Sequence, residues 1–220
     1  GWEGSSVNPM NALIEIDEWT IVQDRFDPIR NRVHESLFSL GNGHFGGRGN
    51  HEEMYSGDSL PGNYLAGIYY PDPTRVGWWK NGYPDYFAKV LNAADWTPIH
   101  VEVDGEALDL ATAEIHSFRR VLHMRTGELT RSFRATVPGG ATVDVDSIRF
   151  VSMARPHLGA IRYRVTPVDR DVTLTFSMQV DGDVVNEDSN YVEGFWEEVS
   201  RGVGRTRGVV VSRTKKTAFE

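Results

Sequence analysis

The feature that most constrains the fold lies between Ile99 and Met178, where short segments of alternating apolar and polar residues follow one another, separated by turn residues. The clearest example spans 98–110, where Asp104-Gly105 separates two alternating runs. Asp-Gly is the strongest short hairpin signal, because a type I′ turn needs positive φ at both central residues. Alternation with a period of two places apolar side chains on one face of a sheet. The pattern therefore predicts antiparallel sheets that pack as a β-sandwich rather than a parallel α/β sheet.

The remaining predicted strands follow the same pattern. They are 116–124 and 128–135 around Thr126-Gly127, 141–151 after Pro138-Gly139-Gly140, 161–165, 172–178, 208–214, and one further strand over 14–22. No convincing amphipathic helix longer than three turns is present. The predicted fold class is all-β: a large antiparallel β-sandwich, supersandwich-like, with few short helices.

A second feature is the aromatic segment from Tyr55 to Asn92, which is interrupted by many glycines and prolines. These residues exclude a long helix and favour short extended pieces. A soluble protein rarely exposes so many aromatic rings unless another surface covers them. Three interpretations stay open: an interdomain or dimer surface, packing into the chain's own core, or a platform for sugar rings. The candidate residues for an interdomain or sugar-contact surface are Arg75, Trp78, Trp79, Lys80, Tyr83 and Tyr86.

Composition excludes several classes of function. The 220 residues fit one domain with a substantial core, with 40% hydrophobic and 25% charged residues. The net charge of −8 argues against a nucleic-acid partner. The chain has no cysteine, so it has no disulfide and no thiolate metal site. No N-x-Ser/Thr acceptor and no apolar run long enough for a signal peptide or membrane span is present, so we expect a cytoplasmic protein with no membrane partner.

Two motifs have weak functional interpretations. Gly41-Asn-Gly-His-Phe-Gly46 matches G-x-G-x-x-G, but no helix start or βαβ unit accompanies it, so a glycine-rich loop that passes close to its neighbours is favoured over a nucleotide site. The run 181–188 resembles a calcium loop but has Val185 and Asn186 where an EF-hand needs an oxygen ligand and a glycine. We predict a solvated acidic loop there.

No other pattern predicts a catalytic, cofactor-binding or metal-binding residue. The seven histidines lack metal-ligand spacing, and no G-x-S-x-G elbow occurs. The acid pairs Glu52-Glu53 and Glu197-Glu198 are expected to point in opposite directions or into water. Sequence alone therefore assigns no catalytic residue and no metal ligand.

A longer resemblance is carried by Glu35-Ser-Leu-Phe-Ser-Leu-Gly-Asn-Gly-His-Phe-Gly-Gly-Arg-Gly49 and by the aromatic segment that follows it. These residues resemble the N-terminal domain of glycoside hydrolase family 65, and within it the maltose phosphorylases more than the trehalose or kojibiose enzymes. Asp181-x-Asp183-Val-x-Asn186-Glu187 and Phe195-Trp196 are similar to the family pattern more loosely. The resemblance covers roughly 15–196 and is too long for a chance match.

The resemblance implies a domain plan. From the sequence itself we expect residues 1–13 to be a tail, in part an expression remnant. The resemblance implies that 14–220 form an N-terminal β-sandwich domain that ends before a linker and an (α/α)6 barrel. The barrel would hold the catalytic glutamic acid and the phosphate site, so no catalytic position would fall in this chain. The whole protein would cleave maltose with inorganic phosphate as co-substrate, with inversion, and would need no cofactor.

The partners that the resemblance implies are the barrel of the same chain, a second subunit in a homodimer, and the disaccharide. The sandwich would then serve folding, interdomain packing and dimer assembly. Two alternatives remain: a free-standing carbohydrate-binding sandwich, or the N-terminal domain of another family 65 phosphorylase, acting on trehalose, kojibiose or nigerose.

Overall fold

A computed structural model describes residues 14–74, 82–187 and 194–220 of the chain. In these ranges the chain forms sixteen strands and one short helix. In chain order they are β1 Ile14–Ile16, β2 Thr20–Gln23, α1 Asn31–Leu37, β3 Leu40–Gly41, β4 Phe45–Gly47, β5 Asn63–Leu65, β6 Tyr69–Pro73, β7 Tyr86–Val90, β8 Ile99–Val103, β9 Glu106–Ala107, β10 Glu114–His123, β11 Glu128–Thr136, β12 Thr142–Val151, β13 Gly159–Pro167, β14 Leu174–Met178, β15 Trp196–Val203 and β16 Gly208–Thr214.

The strands form one large sheet and four small ones. The large sheet has the order β1-β2-β10-β11-β12-β13, and the three-stranded sheets have the orders β14-β8-β9 and β3-β4-β5. Two ribbons, β6-β7 and β15-β16, complete the described elements. Every ladder between these strands is antiparallel. The predicted all-β fold with little helix is confirmed.

The main core lies between the large sheet and β14-β8-β9. Val101 and Val103 of β8 pack with Phe118, Phe133 and other residues of the large sheet in one buried cluster. Full burial of one such side chain stabilises the fold by about 1.5–3 kcal/mol. The inward residues alternate along each strand, as the period-two pattern predicts.

Two local predictions have different outcomes. Asp104 and Gly105 have φ values of 54° and 84°, so the predicted type I′ hairpin between β8 and β9 is confirmed. The single strand predicted over 14–22 is wrong, because the segment folds as the hairpin β1-β2. The Asp17 carboxylate accepts hydrogen bonds from the backbone N–H groups of Trp19 and Thr20, and this side-chain turn interrupts the strand.

The glycine-rich segment behaves as a close-packed loop. A Cβ atom added to Gly46 would lie 2.6 Å from the Leu40 carbonyl oxygen, so the strand β4 can pass its neighbour β3 only without a side chain there. The segment continues into β4 and not into a helix. The motif therefore has the structure that the sequence analysis favours, a glycine-rich segment that passes close to its neighbours.

Candidate functional site

A cleft of about 470 Å³ opens between three loops on the surface of the domain. Its walls come from the segments 59–64, 92–95 and 181–187. We call it the Asn92 cleft, and its lining is Ser59, Leu60, Pro61, Gly62, Asn63, Tyr64, Asn92, Asp95, Asp181, Asp183, Val184, Val185, Asn186 and Glu187. The lining combines carboxylates, amides and an aromatic ring.

Asn92 connects the three loops and is only 6% exposed. Its side-chain oxygen accepts a hydrogen bond from the Asn63 backbone N–H at 2.8 Å. Its amide nitrogen donates to the carbonyl oxygens of Pro61 and Val185, at 3.4 and 3.2 Å. Its backbone N–H donates to the Asn186 side-chain oxygen at 2.8 Å. One buried asparagine therefore joins all three walls through hydrogen bonds within the chain itself.

A second set of contacts fixes the floor. Asp95 and Asp181 exchange two backbone hydrogen bonds of 2.7 and 2.8 Å. The Asp95 Oδ1 atom accepts from the Asn63 amide at 2.9 Å and from both the N–H and the hydroxyl of Thr97. The Asp181 Oδ1 atom accepts from the Asp183 backbone N–H at 2.9 Å. These contacts use one oxygen of each of the two carboxylates.

The remaining hydrogen-bonding capacity of the cleft is mostly acceptor. The Asp183 carboxylate has no hydrogen-bond or ion-pair partner among the described residues. Glu187, by contrast, accepts two hydrogen bonds of 2.8 and 2.9 Å from the Arg32 guanidinium, which also donates to Asp58. The Tyr64 ring, 36% exposed, packs over Gly62, where an added Cβ would lie 2.9 Å from a ring carbon. Free acceptors beside a fixed ring suit a ligand that carries hydroxyl groups.

The sequence predicts a solvated acidic loop over 181–188, of which the structure describes 181–187. Its carboxylates are exposed, but Val185 and Asn186 anchor it to Asn92, so it is also a wall of the cleft. No group of three His, Asp or Glu side chains within the described ranges is arranged to hold a metal ion. Sequence reasoning missed Asn92 because a lone asparagine at the end of a strand gives no signal of its role.

The ribbon β6-β7 carries part of the aromatic surface predicted from sequence. The register pairs Tyr69 with Val90 and Pro73 with Tyr86, so these four residues share one face, which we call the ribbon face. Tyr69, Tyr86 and Val90 are 48%, 58% and 55% exposed. An apolar strand face with this much exposure is typical of a surface that another element covers.

The other predicted surface residues are only partly described. Tyr83 is half exposed, with its ring 6.3 Å from that of Phe87. Arg75, Trp78, Trp79 and Lys80 lie outside the described residues. Of the six candidates, the structure therefore places Tyr83 and Tyr86, both on or next to β7.

The structure contradicts the expectation that the acids Glu52 and Glu53 point in opposite directions or into water. Both side chains are buried, whereas the sequence interpretation placed such pairs in water or pointing apart. The Arg131 guanidinium donates to both carboxylates, with 2.7 Å to Glu53. Arg149 lies 3.5 Å from Glu52, and the Tyr163 hydroxyl donates to Glu53 at 2.5 Å. The pair is buried because Arg131 and Arg149 of the large sheet point inward, at positions where the strand pattern expects apolar residues.

This buried network fixes the charge states of its members. Burial alone would raise the pKa of Glu52, but Arg149 and Arg131 lower that pKa by more, so the carboxylate is ionised. Burial also lowers the pKa of Arg131, and Glu53 and Glu52 reverse this and raise it. Burial, followed by the charge of Glu53, raises the pKa of the Tyr163 hydroxyl well above its usual value. The network is a charge-balanced structural unit.

Comparison with known proteins decides the family. The model of the glycosyl hydrolase family 65 N-terminal domain matches residues 21–220. The chain belongs to glycoside hydrolase family 65. The match continues beyond 196, where the resemblance seen in the sequence ends. No helix among the described residues is long and apolar enough to cross a membrane.

Individual relatives agree with this assignment. The chain is 46% identical over 207 residues to a maltose phosphorylase from Bacillus subtilis, covering 94% of the chain and 27% of that protein. It is 34% identical to an alpha,alpha-trehalose phosphorylase from Thermoanaerobacter brockii, covering 94% of the chain and 28% of that protein. A solved structure titled as a putative kojibiose phosphorylase from human microbiome matches with a TM-score of 0.83 and 25% identity, over 93% of the chain and 27% of that structure. The chain therefore spans about a quarter of the length of these relatives.

Proposed function

We propose that this chain is the non-catalytic N-terminal β-sandwich domain of a cytoplasmic inverting disaccharide phosphorylase. The full-length protein would convert maltose and inorganic phosphate into β-glucose 1-phosphate and glucose. The family match and the 46% identity to a maltose phosphorylase support this proposal. Trehalose, kojibiose and nigerose are the alternative substrates.

The observation that carries the proposed role is the ribbon face. Tyr69, Tyr86 and Val90 form an exposed apolar strip on a two-stranded ribbon, which is marginally stable without cover. Aromatic residues are enriched where protein surfaces meet. The domain would use this face to pack against the catalytic (α/α)6 barrel of the same chain or against the second subunit of a homodimer.

The described acids support a non-catalytic role. Inverting phosphorolysis needs a carboxylic acid with a raised pKa to protonate the leaving oxygen. Glu52 has a lowered pKa, because Arg149 and Arg131 outweigh the effect of its burial. Its neighbour Glu53 accepts hydrogen bonds from Arg131 and Tyr163 inside the domain. Both carboxylates are thus engaged by side chains inside the domain, and this supports a structural role for the pair.

The test is an assay for glucose 1-phosphate released from maltose and inorganic phosphate. The 220-residue chain should give a rate at background, and the full-length protein that contains it should turn over maltose. Trehalose, kojibiose and nigerose are assayed in parallel to assign the substrate of the full-length protein. Turnover of maltose by the 220-residue chain above background would overturn the non-catalytic role.

A further inference from the structure

We propose that the Asn92 cleft is a non-catalytic binding site for a neutral sugar, one pyranose unit of a glucose oligosaccharide. This inference goes beyond the proposed packing role, because the sugar would contact the acidic loop 181–187, whereas packing would use the ribbon face; Tyr64 borders both surfaces. It rests on the geometry of the three loops and on the acceptor groups that they leave unused.

The first argument is that the cleft is built in advance. Four hydrogen bonds of the buried Asn92 side chain and backbone tie the loops together, and the two backbone hydrogen bonds between Asp95 and Asp181 close its floor. A site that is already ordered does not lose loop entropy when a ligand binds. Its volume of about 470 Å³ lies within the range of small-molecule sites.

The second argument is the pairing of a ring with free acceptors. Tyr64 offers a partly exposed ring held against Gly62, and planar rings pack well on the apolar faces of pyranoses. Asp183 provides two carboxylate oxygens without a partner among the described residues, and Asp95 and Asp181 each have one oxygen outside the internal hydrogen bonds. Adjacent sugar hydroxyls can donate to such oxygens, and hydrogen bonds to a charged acceptor are strong.

The third argument is that the cleft suits a neutral sugar better than a metal cation. One oxygen of Asp95 and one of Asp181 are already engaged, and both oxygens of Glu187 accept hydrogen bonds from Arg32. No arrangement of three metal-ligating side chains is found in the described part of the chain. A metal ion would therefore find too few carboxylates close together, whereas a neutral polyol needs only separated acceptors and a ring.

The experiment is isothermal titration calorimetry of the 220-residue chain with maltose, and separately with calcium chloride. Asp183→Ala should weaken maltose binding by about tenfold, the value of one hydrogen bond to a charged group. Tyr64→Ala should weaken it at least as much. Asp171→Ala is the matched control, since Asp171 is an exposed aspartate outside the cleft, and it should bind maltose with the wild-type affinity.

Thermal unfolding of each variant establishes that it is folded before it is titrated. The absence of saturable heat at about 10 mM maltose overturns the proposal. Wild-type maltose affinity in Asp183→Ala also overturns it, as does saturable calcium binding that Asp183→Ala removes. The ribbon-face variant Tyr86→Ala should keep the wild-type affinity for maltose, so failure of the sugar site and failure of the packing role are distinguishable.

Discussion

The substitution Arg131→Met tests whether the buried charge network holds the domain together. Arg131 is the guanidinium that contacts both Glu52 and Glu53, and all three side chains are buried. Methionine keeps much of the side-chain volume but leaves two buried carboxylates, of which Glu52 keeps Arg149 at 3.5 Å and Glu53 loses its guanidinium partner. Removing one partner of a buried ion pair costs about 3–5 kcal/mol.

The assay is urea unfolding at pH 7, followed by tryptophan fluorescence. With a slope of up to about 3 kcal/mol per molar urea, the midpoint should fall by roughly 1–2 M. The control is Arg134→Met on the same strand, where the arginine is half exposed and forms hydrogen bonds of 2.7 and 2.8 Å with Asp144. An exposed pair contributes only about 0–1 kcal/mol.

A second variant separates lost charge balance from lost packing. Adding Glu53→Gln to Arg131→Met removes one uncompensated buried charge, so it should restore part of the lost stability. Equal midpoints for Arg131→Met and Arg134→Met would refute the reasoning that the buried network stabilises this fold.

Two further predictions concern pH and close packing. Burial, followed by the charge of Arg120, holds the pKa of His51 well below its usual value. In the unfolded chain the His51 side chain binds a proton below pH about 6.5, whereas in the folded domain it does not. The contribution of His51 to stability is therefore complete above that pH, and at pH 5.5 this residue alone should destabilise the domain by on the order of 1 kcal/mol. Urea unfolding measures the free energy of unfolding at pH 7 and at pH 5.5. The loss between the two pH values should be smaller by this amount in His51→Gln than in the wild type, and an equal loss in both would contradict the lowered pKa of His51. Gly46→Ala should lower stability by about 1–3 kcal/mol in thermal unfolding, because its Cβ would lie 2.6 Å from a backbone oxygen. Gly202→Ala, with nothing within 4 Å, is the control, and equal effects of the two substitutions would contradict the close approach.

The sequence predicts the central strands well because their information is local. Strand alternation and the Asp104-Gly105 turn depend on neighbours along the chain, and the structure confirms both. The same local rule explains the error at β1-β2, because one side chain, Asp17, forms a turn inside an otherwise apolar run.

The sequence contains a signal for the buried network of Arg131, Glu52 and Glu53 that the predictions did not use. Arg131 has the same strand parity as Leu129 and Phe133, which are both buried, so its inward direction can be read from the pattern. An inward arginine needs a buried acid, and the adjacent pair Glu52-Glu53 is the partner. Treating each acid pair alone, without this parity, led to the expectation of solvent exposure.

The candidate site was less predictable than the sheets. The Asn92 cleft joins segments that are far apart in the chain, and the residue that unites them is a single asparagine. Its role depends on which loops meet at that point, and local patterns do not contain this information. The family resemblance aligned the segment 181–187 but did not indicate that it faces 59–64.

Hydroxyl-radical footprinting of the ribbon face tests the proposed packing role most directly, in the 220-residue chain and in the longer phosphorylase that we propose contains it. Tyr69 and Tyr86 are exposed in the domain, whereas Tyr70 on the opposite face of β6 is buried and serves as the unlabelled reference. The account predicts that Tyr69 and Tyr86 are modified in the 220-residue chain and protected several-fold in the full-length protein, because the remainder of that protein or its second subunit covers them. Equal modification of these two tyrosines in both proteins would contradict the proposal that this domain packs through its ribbon face.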